Sequence, residues 1–122
     1  TLTACTLAML LRKQWCFEIA YFWGLAGAFM ATLTPNVREG FPAWQYFNFF
    51  WVHGGILICL AYLLAAERMQ PAPGAVARMM LALNLYVVVV GSLNALFGWN
   101  YGFLCRKPRA ATLMDYFGPW PW

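Results

Sequence analysis

The chain has 122 residues, of which 63% are hydrophobic, 19% aromatic and only 10% charged. Water-soluble domains carry about a quarter charged residues, so this composition excludes an ordinary soluble fold. The formal net charge of +4 is spread between apolar runs rather than gathered on one face, which argues against nucleic-acid binding and for loops at a lipid headgroup surface.

Residues 1–11, TLTACTLAMLL, are apolar but too short to cross a hydrocarbon core of about 30 Å at about 1.5 Å per residue. They read as the second half of a truncated helix, closed by Arg12 and Lys13 at one headgroup surface, here side one. Residues 14–33 form the first complete span. Gly24, Ala28 and Thr32 recur at every fourth position in it, a small-residue row that permits close helix packing. Glu18 lies about 6 Å inside this span and is expected to snorkel or to pair with Arg12 or Lys13. Residues 34–43, TPNVREGFPA, connect on side two, with Pro35, Gly40 and Pro42 as breakers.

Residues 44–66, WQYFNFFWVHGGILICLAYLLAA, form the second span and carry no formal charge. Trp44, Tyr46 and Trp51 occupy its first third, where interfacial aromatics lie. The only histidine of the chain, His53, falls about 13 Å from the start of this span. An ionisable side chain at that depth normally faces a bundle interior or a wet cavity, which makes His53 the first candidate for chemistry.

Residues 67–75 form a polar loop interrupted by proline, and residues 76–97 the third span, with Arg78 at its mouth. The run Tyr86–Val90 would favour a strand in water, but inside so apolar a segment it reads as lipid-facing helix. Asn84 and Asn94 are expected to hydrogen-bond between helices, at about 0.6–2 kcal/mol each. The tail, residues 98–122, combines Arg106, Lys107, Arg109 and Asp115 with several aromatics. It reads either as an interfacial aromatic loop leading to a further helix or as a headgroup-binding loop, since clustered Arg and Lys recognise lipid phosphate. Arg12, Lys13, Arg68 and Arg78 fall on side one, and Arg38, Arg106, Lys107 and Arg109 on side two. That even split gives the positive-inside rule nothing to act on.

Cys5, Cys16, Cys59 and Cys105 show no CxxC pair and no metal spacing, and three of them sit in apolar runs as small hydrophobes. One histidine without a nearby carboxylate is too few ligands for a metal, and no cofactor is expected. The fold expected is therefore all-α: a polytopic transmembrane bundle over residues 1–122, with three full spans and one truncated helix. With neither a start methionine nor a basic leader, the chain reads as an internal piece of a larger bundle.

The phrases FEIAYFWGLAGAFMATLTPN, FPAWQYFNFFWVHGGIL, LNLYVVVVGSLNALFGWNYGFLCRKP and LMDYFGPWPW resemble the YwaF-like bacterial integral membrane proteins. More distantly they resemble a eukaryotic phospholipid acyltransferase family, transmembrane protein one-six-four, and the androgen-induced lipid hydrolases. The stretch from Asn100 through Lys107–Pro108 to Gly118–Pro119–Trp120 is the most specific part. The resemblance implies a multi-pass protein, of the bacterial plasma membrane for the YwaF-like branch, and a Cys or Thr nucleophile paired with an intramembrane histidine. His53 matches that histidine. Cys5 matches a cysteine of the bacterial pattern, Thr1 and Thr3 stand where that pattern has proline and histidine, and the eukaryotic cysteine falls at Leu2, which cannot act.

Depth ranks the nucleophiles. Counted from side one at about 1.5 Å per residue, Cys5 lies about 9 Å deep, Thr3 about 12 Å, Thr1 about 15 Å and His53 about 20 Å. The threonines are thus better matched to His53 than Cys5 is. Thr and Cys are weak nucleophiles until a base removes the proton, and neutral imidazole is the form that serves. Asn84, about 12 Å deep, would orient the ring, and Asn100, Arg106 and Lys107 would hold a lipid headgroup. Three functions stay open. They are acyl transfer or hydrolysis on a membrane lipid, a non-catalytic subunit or assembly factor with other membrane subunits as partners, and a fragment of a transporter.

Overall fold

A computed structural model describes residues 1–37, 39–108 and 111–119. All regular structure among them is helical. Helix α1 runs Leu2–Leu11, α2 Gln14–Leu33, α3 Trp44–Ala65 and α4 Ala75–Phe97. The last three are each long and apolar enough to cross a membrane. Short 3₁₀ turns follow at Tyr101–Phe103 and Leu113–Phe117. The chain divides into two compact units, Thr1–Ala75 and Val76–Trp122.

In the first unit, α1 and α2 form a tight hairpin. Arg12 takes the left-handed conformation (φ 48°) and its N–H bonds the Ala8 carbonyl, ending α1. Lys13 is extended and starts α2. Helix α3 then runs parallel to α1, and side-chain contacts fix the register. The Cys59 thiol lies 3.8 Å from the Cys5 carbonyl oxygen, and Arg12 Nη2 lies 2.9 Å from Glu67 Oε1.

The three helices pack in layers. Nearest side one, Ala8, Cys16, Phe17 and Leu63 form one buried cluster. Beyond it lie Cys5, Ala20 and Leu60, then Ile56 and Ala28, in a second. Lipid tails are as apolar as these side chains, so close fit rather than exclusion of water holds the layers together. Gly24 and Ala28 of the small-residue row, with Ala20 one turn earlier, supply that fit. Ala20 and Ala28 are fully or almost fully buried, and a Cβ built on Gly24 would stand 3.2 Å from Ile56 Cγ2 and 3.3 Å from Leu60 Cδ1.

At Gly24 the structure departs from a plain helix. Residues Ala20–Gly24 form a π-turn inside α2, which widens the helix where Thr1, Ile56 and Leu60 converge. The segment holds no proline, glycine pair or charge that would have flagged it in the sequence, and π-turns cluster at functional sites.

Glu18 corrects an expectation. It is buried rather than snorkelling, and it accepts hydrogen bonds from Gln14 Nε2 and from the backbone N–H of Ala72, both at 3.2 Å. Arg12 instead pairs with Glu67, whose Oε1 also accepts from Tyr62 O–H at 2.9 Å. Glu18 and Gln14, which donates to the Gln70 carbonyl at 2.7 Å, therefore tie the 67–75 connection to α2. Helix α3 ends in the same place, with Arg68 left-handed (φ 52°) and Met69 N–H closing back on the Leu63 carbonyl. Replacing Glu18 by alanine leaves the Ala72 N–H without its acceptor, a loss of about 1–3 kcal/mol. Faster hydrogen exchange at Ala72, largely restored in Glu18→Gln, is the expected result; unchanged protection would show that the carboxylate does not hold the loop.

Candidate functional site

His53 stands in the middle of α3, half-buried. Its Nδ1 lies 2.7 Å from the Phe49 carbonyl oxygen one turn earlier. A carbonyl only accepts, so Nδ1 carries a proton, and Nε2 is the nitrogen that offers a lone pair in the base form. The Phe49 ring covers one face of the imidazole, with centroids 4.2 Å apart. One residue thus fixes both tautomer and ring plane, and the basic nitrogen is turned away from its own helix. No described side chain bonds Nε2. Next to His53 on the helix, a Cβ on Gly54 or Gly55 would meet nothing within 4 Å.

His53 lies at the inner end of a cleft of about 500 Å³. Gln45, Asn48, Phe49, Val52 and His53 line it from α3, and Asn36, Val37 and Glu39 from the side-two connection. The α3 residues follow the i, i+3, i+4, i+7, i+8 spacing of a single helix face. Gln45 and Asn48 are two polar positions on that face that the sequence reading passed over. Their spacing from His53 is the signal that would have found them. Arg38 lies outside the described residues, as do Arg109 and Trp120.

The α1 candidates follow the register of the first unit. Thr1 Cγ2 and Ile56 Cγ2 both approach Gly24, and Ile56 is three residues, or about 4.5 Å of helix rise, from His53. Cys5 is buried beside Cys59, six residues or about 9 Å of rise from His53. Thr3 is exposed on α1. None of the three lines the cleft among its described residues.

The second unit is described by itself. Asn84 is exposed on α4 and donates to the Met80 carbonyl of its own helix at 2.8 Å. Asn94 is buried and grips the tail rather than another helix. Its Nδ2 donates to the Tyr101 carbonyl and its Oδ1 accepts from the Tyr101 N–H, both at 3.0 Å. Asn100 repeats the device one turn on, with Oδ1 accepting from Cys105 N–H and Arg106 N–H, and Nδ2 donating to the Arg106 carbonyl. Gly102 (φ +67°) completes the turn; a Cβ there would meet the Tyr86 hydroxyl at 2.7 Å. Asn100 therefore shapes the loop from inside, and Arg106 projects from it exposed. Lys107 Nζ lies 3.7 Å from Asp115.

Replacing Asn94 by alanine strands both polar groups of Tyr101, a loss of about 1–3 kcal/mol. Tryptic cleavage after Arg106 in detergent is expected to accelerate severalfold; an unchanged rate would show that the tail is held elsewhere.

Among the described residues, no group of three or more His, Cys, Asp or Glu is placed to hold a metal ion. A family model described as the TMEM164 family matches residues 1–122. No curated protein and no solved structure matches the chain.

Proposed function

The chain belongs to the TMEM164 family and is a multi-pass integral membrane protein, and from that premise we propose that it catalyses acyl transfer or hydrolysis on a membrane lipid with His53 as general base. The observation that carries the reading is the held imidazole: Nδ1 bonded to the Phe49 carbonyl, Nε2 without a partner among the described residues, and the ring among the residues that line a cleft. In the reaction, Nε2 takes the proton of a Thr or Cys nucleophile on α1 as its oxygen or sulfur attacks the lipid ester carbonyl. The carbon–oxygen bond to the glycerol breaks, the departing alkoxide takes the proton from His53, and the acyl group stays on the nucleophile. An acceptor alcohol or water then reverses the sequence. Thr3 and Cys5, with Thr1, are the candidate nucleophiles on α1. Within the second unit, Arg106 and Lys107, on the loop that Asn100 shapes, are proposed contacts for headgroups at the bilayer surface, and Asn84 is a further proposed contributor. A YwaF-like placement in a bacterial plasma membrane is part of the same proposal and rests on the quoted sequence phrases.

Two observations favour this reading over its rivals. A structural role for His53 calls for an amide or other partner on Nε2, and no described residue supplies one. Alternating access calls for helices broken at mid-depth, whereas α2 passes through its π-turn and stays helical. The experiment offers phospholipids and a fluorophosphonate probe to the protein in nanodiscs, comparing wild type with His53→Ala and with Thr3→Ala/Cys5→Ala. Turnover or labelling lost in His53→Ala supports the enzyme, and the double variant tests the α1 nucleophiles. Signal at background in folded wild type would overturn it.

A further inference from the structure

We infer that the substrate reaches His53 from the side-two leaflet, with the polar head of a phospholipid seated on the amide stripe of α3. The inference rests on the acyl-transfer reading above and adds the leaflet and the head chemistry that the site takes.

Gln45, Asn48 and His53 descend one face of α3 from the side-two surface, at about 1.5, 6 and 13 Å from the helix start. Asn36 joins them from the connection, and Glu39 and Trp44 stand at the mouth. The side-chain amides of Asn36, Gln45 and Asn48 have no hydrogen-bond partner among the described residues. Gln45 and Asn48 are exposed and Asn36 half-buried, so their amides stand open to an occupant with polar atoms of its own. Each amide offers two N–H donors and a carbonyl acceptor. That set suits a phospholipid head: phosphate and ester oxygens accept from the N–H groups, and a glycerol hydroxyl donates to the carbonyl.

Toward side one the route closes. The layers beyond His53 are Ile56, then Leu60 with Cys5 and Ala20, then Leu63 with Ala8, Cys16 and Phe17, all buried and none polar in its side chain apart from the thiols. On the side-two approach polar partners run from the surface down to His53, whereas the polar groups of side one, Arg12, Glu67 and Glu18, are separated from His53 by these apolar layers. The ester it carries arrives at the level of Nε2 with the head still among the amides.

The full chain is reconstituted into phosphatidylcholine–phosphatidylglycerol vesicles, its orientation is read with an impermeant biotin reagent, and a fluorescent-acyl phosphatidylcholine is confined to one leaflet. His53-dependent turnover is expected to be at least about tenfold faster when the label shares the side-two leaflet, the equivalent of about 1.4 kcal/mol. Equal rates, or a preference for side one, would overturn the leaflet inference and leave the acyl reading standing. Asn48→Leu is expected to raise KM about tenfold with kcat within about twofold, the pattern of a lost binding contact, while Ile58→Ala on the exposed face of α3 leaves both unchanged. An unchanged KM in Asn48→Leu removes the head seat. If neither leaflet supports His53-dependent turnover, the acyl reading falls, and a phospholipid with a photoreactive head decides on the seat alone. Cross-links concentrated on residues 36–48 and lost in Asn48→Leu support it; cross-links spread evenly over the spans overturn it.

Discussion

Replacing His53 by alanine is expected to lower lipid turnover and acyl-probe labelling by about 10²- to 10⁴-fold, the usual contribution of a positioned general base. The reason is geometric. The imidazole is the only titratable side chain that lines the cleft along α3, and its free nitrogen is aimed by a bond from the other nitrogen to the Phe49 carbonyl. The same variant should barely disturb the fold. That bond is local to one helix turn, and breaking it costs about 0.5–1.5 kcal/mol, so thermal unfolding in detergent should shift by a few degrees at most. His53→Ala with full activity would remove the base; His53→Ala that fails to fold would give His53 a structural role instead. Phe49→Ala separates the two levels. It keeps the carbonyl and removes only the ring that lies 4.2 Å from the imidazole, so a smaller loss in kcat with intact folding is expected.

The second large effect is expected at Gly24. A Cβ there would stand 2.9 Å from Thr1 Cγ2, 3.2 Å from Ile56 Cγ2 and 3.3 Å from Leu60 Cδ1. Rotation of Thr1 relieves the first contact, so Gly24→Ala is tolerated at a modest loss. Gly24→Leu adds three further carbons to a layer already closed on three sides, and overpacking of this kind costs about 1–3 kcal/mol or more. Because α1 and α3 must part to admit it, activity should fall together with stability. The measurement is the unfolding midpoint of both variants beside their lipid turnover. Gly24→Leu as stable as wild type would mean that the π-turn relaxes to absorb the side chain, and that α1 is not held where Thr1 now lies.

Much of the architecture was legible because its signals are short in range. The apolar runs and their Pro, Gly and charge punctuation give the helices Gln14–Leu33, Trp44–Ala65 and Ala75–Phe97 almost to the residue. The row Gly24, Ala28 and Thr32 was legible from its spacing; Gly24 and Ala28 are packed, while Thr32 is half-buried and bonds its own helix at the Ala28 carbonyl. What was not legible depends on residues far apart in the chain. Glu18 and Arg12 are near neighbours in sequence, so a pair between them was the natural expectation. The hairpin at Arg12–Lys13 turns Arg12 toward Glu67 instead and sinks Glu18 beneath the 67–75 loop. Asn94 looked like an interhelical amide because nothing in the sequence says that Tyr101 returns to it. The π-turn had no signature at all: it answers to the meeting of three helices, and Ala20–Gly24 is an ordinary helical string when read alone. The cleft falls between these cases, with His53 conspicuous and Gln45 and Asn48 visible only once the helix face is drawn.

The two asparagine latches of the tail touch only main chain: Asn94 holds the N–H and carbonyl of Tyr101, and Asn100 holds the N–H of Cys105 and the N–H and carbonyl of Arg106. Every amino acid except proline presents those same groups. The side chains at 101, 105 and 106 are therefore free to change without unfastening the turn, whereas the two asparagines are not. The loop can thus keep its shape while the residues that project from it are exchanged.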